Sequence, residues 1–232
     1  MATVAVILSL GALYHFTARS NYLAPPLTEN QRFLKELESA RKGDAEAKYQ
    51  LGLKYKNGDG ITPMRAEAIK WLTKAAESGH AKAQLELGML YFGYVSNDDV
   101  LDFKQAGHWL QQAAEQGEVD AQYVLGEMYA DGRGVIQDYV QAAAWLKRAA
   151  QAGHLDAMYS LGMMYVAGNG VPEDLIEAYV WFNLAAAQNN QTAIIAREKV
   201  AELLNPEQLA QGQARSRSWA PSTGVAPATA NR

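Results

Sequence analysis

Cysteine is missing from all 232 residues, which excludes disulfides, thiolate metal sites and cysteine nucleophiles in one step. The compartment stays open, because an oxidising environment permits disulfides without requiring them. Long polar tracts are missing too. With 49% hydrophobic and 9% aromatic residues, the chain has ample material for a continuous core and lacks the composition of a globally disordered one. Concentrated positive charge is the third absence. Residues 43–191 carry 11 basic and 19 acidic side chains, whereas 1–42 and 192–232 each carry 5 and 3. The middle therefore stands at minus 8 between mildly positive ends. Nucleic-acid affinity rests on clustered Lys and Arg facing phosphates, so no nucleic-acid partner is expected.

What is present is repetition. Trp71, Trp109, Trp145 and Trp181 are separated by 38, 36 and 36 residues. An alanine lies three residues before each (Ala68, Ala106, Ala142, Ala178), and an alanine pair four and five after (Ala75/Ala76, Ala113/Ala114, Ala149/Ala150, Ala185/Ala186). A turn residue follows at plus eight: Gly79, Gly117, Gly153, Asn189. A second ladder runs in phase: Leu51-Gly52 with Tyr55, Leu87-Gly88 with Tyr91, Leu125-Gly126 with Tyr129, Leu161-Gly162 with Tyr165. A period of this length marks stacked helical pairs, none of which can bury its apolar face alone.

Within a unit, Ala121, Leu125 and Tyr129 keep helical spacing around Gly126. A mid-helix glycine costs up to ~1 kcal/mol relative to alanine, so its return in every unit predicts close approach by a neighbouring helix. Gly58-Asp59-Gly60, Gly132-Arg133-Gly134 and Gly168-Asn169-Gly170 read as turns that end the first helix with a positive φ. Asp102, Asp138 and Asp174, each with Gln or Glu three residues on, predict the caps of the second helices. Repeat 1 carries Met64 there, and Thr62-Pro63 is expected to supply its cap and first-turn proline. The tryptophans are expected in the core. His80 and His154 follow a helix-ending glycine, where partial positive charge suits a C-terminus.

These ladders resemble the Sel-1-like repeats of the tetratricopeptide superfamily, whose pattern is similar to A-x3-LG-x2-Y-x2-G-x-G-V-x2-D-x3-A-x2-W-x3-AA-x2-G. Repeats 3 and 4 match it at nearly every position, from Ala121 to Gly153 and from Ala157 to Asn189. The stretch from Ala178 to Ala187 looks like the final unit of many bacterial members, and Asn205-Pro206-Glu207-Gln208 resembles the opening of their C-terminal cap. The resemblance implies an all-α, right-handed α/α solenoid of four repeats with capping helices at both ends. It also implies a non-catalytic protein–protein interaction scaffold or adaptor. Hydrolytic or antibiotic-binding activity belongs to a disulfide-rich branch of the family, and a cysteine-free chain falls outside that branch's pattern.

The expected organisation is an apolar leader at 1–18, a linker at 19–27 and an N-terminal capping helix at 28–42, opened by a Thr28/Gln31 capping box. Repeats follow at 43–80, 81–119, 120–155 and 156–191, then capping helices at 192–218 and a disordered tail at 219–232. From Ala2 to Ala18 the leader runs 17 residues without a charge. As a helix that is about 26 Å, just short of a ~30 Å hydrocarbon core. An uncleaved anchor, a cleaved signal peptide and a buried helix all fit, and the lack of a good small-x-small site favours the anchor. Arg19, Arg32 and Lys35 after the run favour cytoplasmic repeats by the positive-inside rule, whereas an upstream basic segment would reverse that. The expectation is a cell-envelope protein with a single-pass inner-membrane anchor and periplasmic repeats, or one secreted to the periplasm after cleavage.

Nothing in the chain reads as a catalytic, cofactor or metal site. The Gly-x-Gly turns recur once per unit, follow helices and lack the Lys-Ser/Thr of a phosphate loop. His108 has no histidine four residues on, and Asp98, Asp99 and Asp102 lack the order of a calcium loop. Recognition is instead expected on variable positions of the first helices, minus four, minus two, plus one and plus two from the helix glycine. They include Lys48, Gln50, Lys54, Gln84, Glu86, Met89, Leu90, Gln122, Val124, Glu127, Met128, Met158, Ser160, Met163 and Met164. Five of the chain's 7 methionines fall among them, and methionine adapts to irregular apolar partners. The expected partner is a protein or peptide with Lys or Arg beside apolar anchors. The longer turn of repeat 2, with Tyr94, Asp98 and Asp99, is a candidate binding loop. A hydrolase-like enzyme and a wall-polysaccharide binder using Tyr94 and Phe92 are the alternatives.

Overall fold

The computed structural model describes residues 28–93 and 101–219, and these form eleven helices and no strand. The predicted leader and linker, the residues after Trp219, and Tyr94, Asp98 and Asp99 lie outside the described residues. Among the described residues no helix is long and apolar enough to cross a membrane. Helix α1 spans Glu29–Arg41. Four pairs follow: α2 (Ala45–Asn57) with α3 (Arg65–Glu77), α4 (Ala81–Phe92) with α5 (Phe103–Glu115), α6 (Val119–Asp131) with α7 (Tyr139–Gln151), and α8 (Leu155–Ala167) with α9 (Leu175–Ala186). The far end is closed by α10 (Gln191–Leu203) and α11 (Pro206–Ser218), both packed on α9. Each first helix packs against its own second helix and, from α4 onward, against the second helix of the preceding pair, with α1 taking that place for α2, the quasi-one-dimensional packing of an α-solenoid.

The two sequence ladders meet inside each pair. A methyl group at Gly52, Gly88 or Gly126 would stand 2.6, 2.7 or 2.7 Å from Cγ of Leu72, Leu110 or Leu146, and one at Gly162 would stand 2.5 Å from the Phe182 ring. The residue after each tryptophan thus seats on the helix glycine of its own unit, which is why that glycine outweighs its cost in helix propensity. The alanines before and after the tryptophans are buried throughout. Trp71, Trp145 and Trp181 are core residues, with Lys74 and Arg148 lying 4.6 and 4.4 Å over the faces of the first two. Trp109 departs from the pattern and is half-buried.

Gly58, Gly93, Gly132 and Gly168 end the first helices in left-handed geometry. The second glycine of the turn serves packing between units. A Cβ on Gly134 would collide with the Phe103 carbonyl and one on Gly170 with the Tyr139 carbonyl, so each turn lies on the start of the preceding second helix. The N–H of Met64, Asp102, Asp138 and Asp174 donates to the carbonyl of Tyr55, Tyr91, Tyr129 and Tyr165 at 2.8, 3.0, 2.9 and 3.0 Å. This bond makes residue 64 the N-cap of α3 and corrects the expected cap. Met64 makes no side-chain cap bond, Thr62 lies two residues too early, and Pro63 precedes the helix and packs on Gly58.

Two further expectations change. His80 and His154 are N-caps of α4 and α8, each Nδ1 accepting from the N–H of Ala83 or Ala157 at 3.2 Å. An accepting ring nitrogen must be unprotonated, so these rings do not serve as cations at a helix C-terminus. Trp219, assigned from sequence to the tail, packs edge-on against Trp181 with centroids 6.3 Å apart, since α11 lies along α9 and delivers it there. Both terminal caps form as expected, Thr28 with Gln31 and Asn205 with Gln208, the latter with proline in the first turn.

Candidate functional site

Each first helix lies between two others, α2 between α1 and α3 and the rest between two second helices, and the predicted recognition positions divide accordingly. At minus four, Gln84, Gln122 and Met158 are buried. The two glutamines donate Nε2–H to the carbonyls of Ala76 and Ala114, at 3.1 and 3.2 Å, at the end of the preceding second helix. At plus two, Leu90, Met128 and Met164 are buried as well, and Val124 joins them from minus two. These seven residues are core between units, which corrects their assignment to a binding face. The reason is geometric: two of the four chosen positions point toward the preceding pair.

Of the remaining positions, several already have partners. Gln50 donates to Glu46 at 2.7 Å, Lys54 is paired with Glu36, and Glu86 receives Lys56 at 2.6 Å with both side chains mostly covered. Lys48 reaches the Ser78 hydroxyl at 3.1 Å. Burial pushes the Glu127 carboxyl above its ordinary range, against an opposing hydrogen bond with Ser160. Met89 is half-buried against the α5–α6 cluster. Phe92, proposed for sugar stacking, meets Phe103 edge-on at 5.3 Å with Arg133 5.6 Å over its ring. Met163 stands apart, 42% exposed.

Met163 lines an apolar cavity of about 350 Å³ between α8 and α10, within the size range of ligand pockets (~300–1,000 Å³). Tyr159, Met163 and Val166 form one wall, Ile195, Ala196, Lys199, Val200 and Leu203 the other, with Thr192 at one end and Phe182 beneath. Sequence reasoning picked out only Met163 of this set, because Tyr159 and Val166 lie at minus three and plus four from the helix glycine. The available signal was the departure of these positions from the other units. Across the α2–α4 seam the positions matching Val166 and Ala196 are Lys56 and Glu86, whose ion pair closes the gap. Tyr49 and Tyr123, matching Tyr159, are roofed by the stacked rings of His80 and His154 at 4.6 and 4.4 Å. In the last seam the roofing position is Asn190, which caps α10 without a ring. The final seam is therefore apolar and open where the α2–α4 seam is bridged by charge.

A second recess of about 340 Å³ lies at the other end, between α1 and α2, and is lined chiefly by charged and polar side chains such as Arg32, Glu36 and Asp44. Among the described residues no group of three or more His, Asp or Glu is placed to hold a metal ion.

The unit that builds this face has known counterparts. A scan against protein families matches the Sel1 repeat at residues 45–80, 81–118, 119–154 and 155–190. The chain belongs to the Sel1 repeat family. Among solved structures it is similar to c5321, a protective antigen of uropathogenic Escherichia coli strains with an SLR fold, at 34% identity and a TM-score of 0.72 over 84% of this chain. It is also similar to a Sel1 repeat protein from Oxalobacter formigenes, at 32% identity and a TM-score of 0.65 over 75% of this chain. It spans 42% and 50% of those two proteins. A search of the curated proteins finds no match. Sel1 repeats make an all-α solenoid, and every unit boundary of the match falls in the short link between a second helix and the next first helix.

Proposed function

We propose that this Sel1 repeat chain is a non-catalytic scaffold that holds another protein through the open groove between α8 and α10. The observation that carries this reading is the exposed apolar lining at a seam whose counterpart between α2 and α4 is bridged by the chain's own Lys56 and Glu86: Met163, Ile195 and Leu203 are 42%, 55% and 67% exposed. Leaving such surface in water is unfavourable by roughly 25 cal/mol per Å², and a partner's apolar side chains would recover that free energy. A photo-crosslinking residue at position 163 is expected to give one discrete protein adduct in cells, absent when Leu203→Glu is combined with it. A smear of adducts unaffected by Leu203→Glu would count against the groove as the binding site.

The scaffold is further proposed to work at the cell envelope. Support comes from the uncharged run between Ala2 and Ala18 in the sequence, which has the length of a minimal span. Extraction of membranes at alkaline pH tests this: an anchored chain stays in the pellet, and a chain released in full is not anchored.

A further inference from the structure

Resting on that reading of the groove, we infer that its occupant is an amphipathic helical segment carrying a carboxylate side chain beside its apolar anchors. The groove is bounded by α8, the first helix of the last pair, and α10, the cap helix that follows that pair. Its wall on α10 runs from Thr192 to Leu203, which at ~1.5 Å per residue is about 16 Å, or three helical turns. That length and the apolar rows on both walls suit a helix presenting anchors at i, i+3, i+4 and i+7.

Charge selects among such helices. Lys199 is the one charged side chain in the lining. It is exposed and, among the described residues, has no ion-pair partner, while its neighbours Arg197 and Glu198 face each other at 3.7 Å. The carboxylates at the predicted recognition positions, Glu86 and Glu127, are already engaged, the first by Lys56 and the second by a hydrogen bond with Ser160. The two positions that carry the Lys56–Glu86 pair at the α2–α4 seam are Val166 and Ala196 here, so nothing from α8 answers the Lys199 ammonium. An acidic group on the occupant does so at the lip of an apolar floor, where water is partly displaced and the attraction is screened less than at an open surface.

The test uses a fluorescein-labelled synthetic helix with leucine at i, i+3, i+4 and i+7 and Glu, Gln or Lys beside the third anchor, titrated with the full chain and read by anisotropy. The Glu peptide is expected to bind about three-fold more tightly than the Gln peptide, with the Lys peptide weakest, and Lys199→Glu is expected to invert that order. Ile195→Asp should abolish binding of all three; because that side chain is half in solvent, its melting curve should match wild type, and Leu203→Glu is the second variant should it not. Equal affinity for the three peptides, lost in Ile195→Asp, would overturn the acidic preference and leave the groove in place. If no peptide binds while the position 163 adduct still forms, the helical acidic occupant is wrong and the scaffold reading stands. A concentration-dependent dimer in sedimentation that Ile195→Asp converts to monomer would make a second copy the occupant and overturn the proposal.

Discussion

At the scale of single residues, the informative positions are those where one side chain links two units. His154 caps α8 through Nδ1, stacks on Tyr123 of the preceding first helix at 4.4 Å, and points Nε2 toward Asp120 at 3.6 Å. Burial lowers its pKa from 6.5, with Asp120 and Asp156 opposing. The unfolded chain therefore takes up a proton more readily than the folded one, and protonation of Nδ1 removes the cap. The contribution of this ring to stability is complete above the ordinary histidine range and is lost from pH about 6.5 downward as the folded value is crossed. Asn190 shows how the site works without titration, accepting from Ala193 N–H at 3.0 Å and donating to Asp156 at 3.2 Å. His154→Asn is accordingly expected to flatten the fall in melting temperature between pH 8 and 5 relative to wild type. An unchanged pH profile would place the titration elsewhere. The sequence pattern marked these histidines correctly as repeat positions but put them at the wrong helix end, because the glycine before them ends one helix and the histidine starts the next.

At the scale of elements, each helix is defined by its ends more than by its propensity. Asp102, Asp138 and Asp174 each accept two backbone N–H bonds at the start of a second helix, whereas Met64 holds the same bond to the preceding tyrosine carbonyl and offers no cap. Its backbone is extended like that of Asp138, and its side chain is 49% exposed, so little packing is lost on replacing it. Met64→Asp is therefore expected to stabilise the chain by roughly 0.5–1 kcal/mol, measured by urea unfolding; destabilisation would mean that the thioether packs more than its exposure indicates. The missing aspartate was visible in the sequence. That Pro63 seats on Gly58 rather than opening α3 was not, since a proline reads the same one residue before a helix as one residue inside it.

At the scale of the whole molecule, stability passes from unit to unit. Trp145 sits on α7 yet packs into the cluster built by α5 and α6, beside Leu125 and Met128. Trp145→Ala leaves a cavity at a junction and is expected to cost about 3–5 kcal/mol, seen as an early loss of far-ultraviolet signal across the array. A melting temperature within a degree or two of wild type would show that the indole is not structural. The open groove also belongs to this scale. It arises because the last seam joins a repeat to a cap helix whose residues, Ile195, Lys199 and Leu203, are not those of a repeat, so the seam neither bridges by charge nor fills.

Repetition alone determined the helical pairs, their order and their core ladders, because each position was sampled four times and only tight packing keeps glycine, alanine and tryptophan in phase. Which face remains free was decided by tertiary structure. Met128 and Met158 looked like a groove in sequence and are fully buried, while Tyr159 and Val166, at positions the ladders did not single out, line a cavity. A helix periodicity reports that a side chain is apolar and on which side it lies, but the neighbour that covers that side, or fails to, is supplied by a unit some 36 residues away.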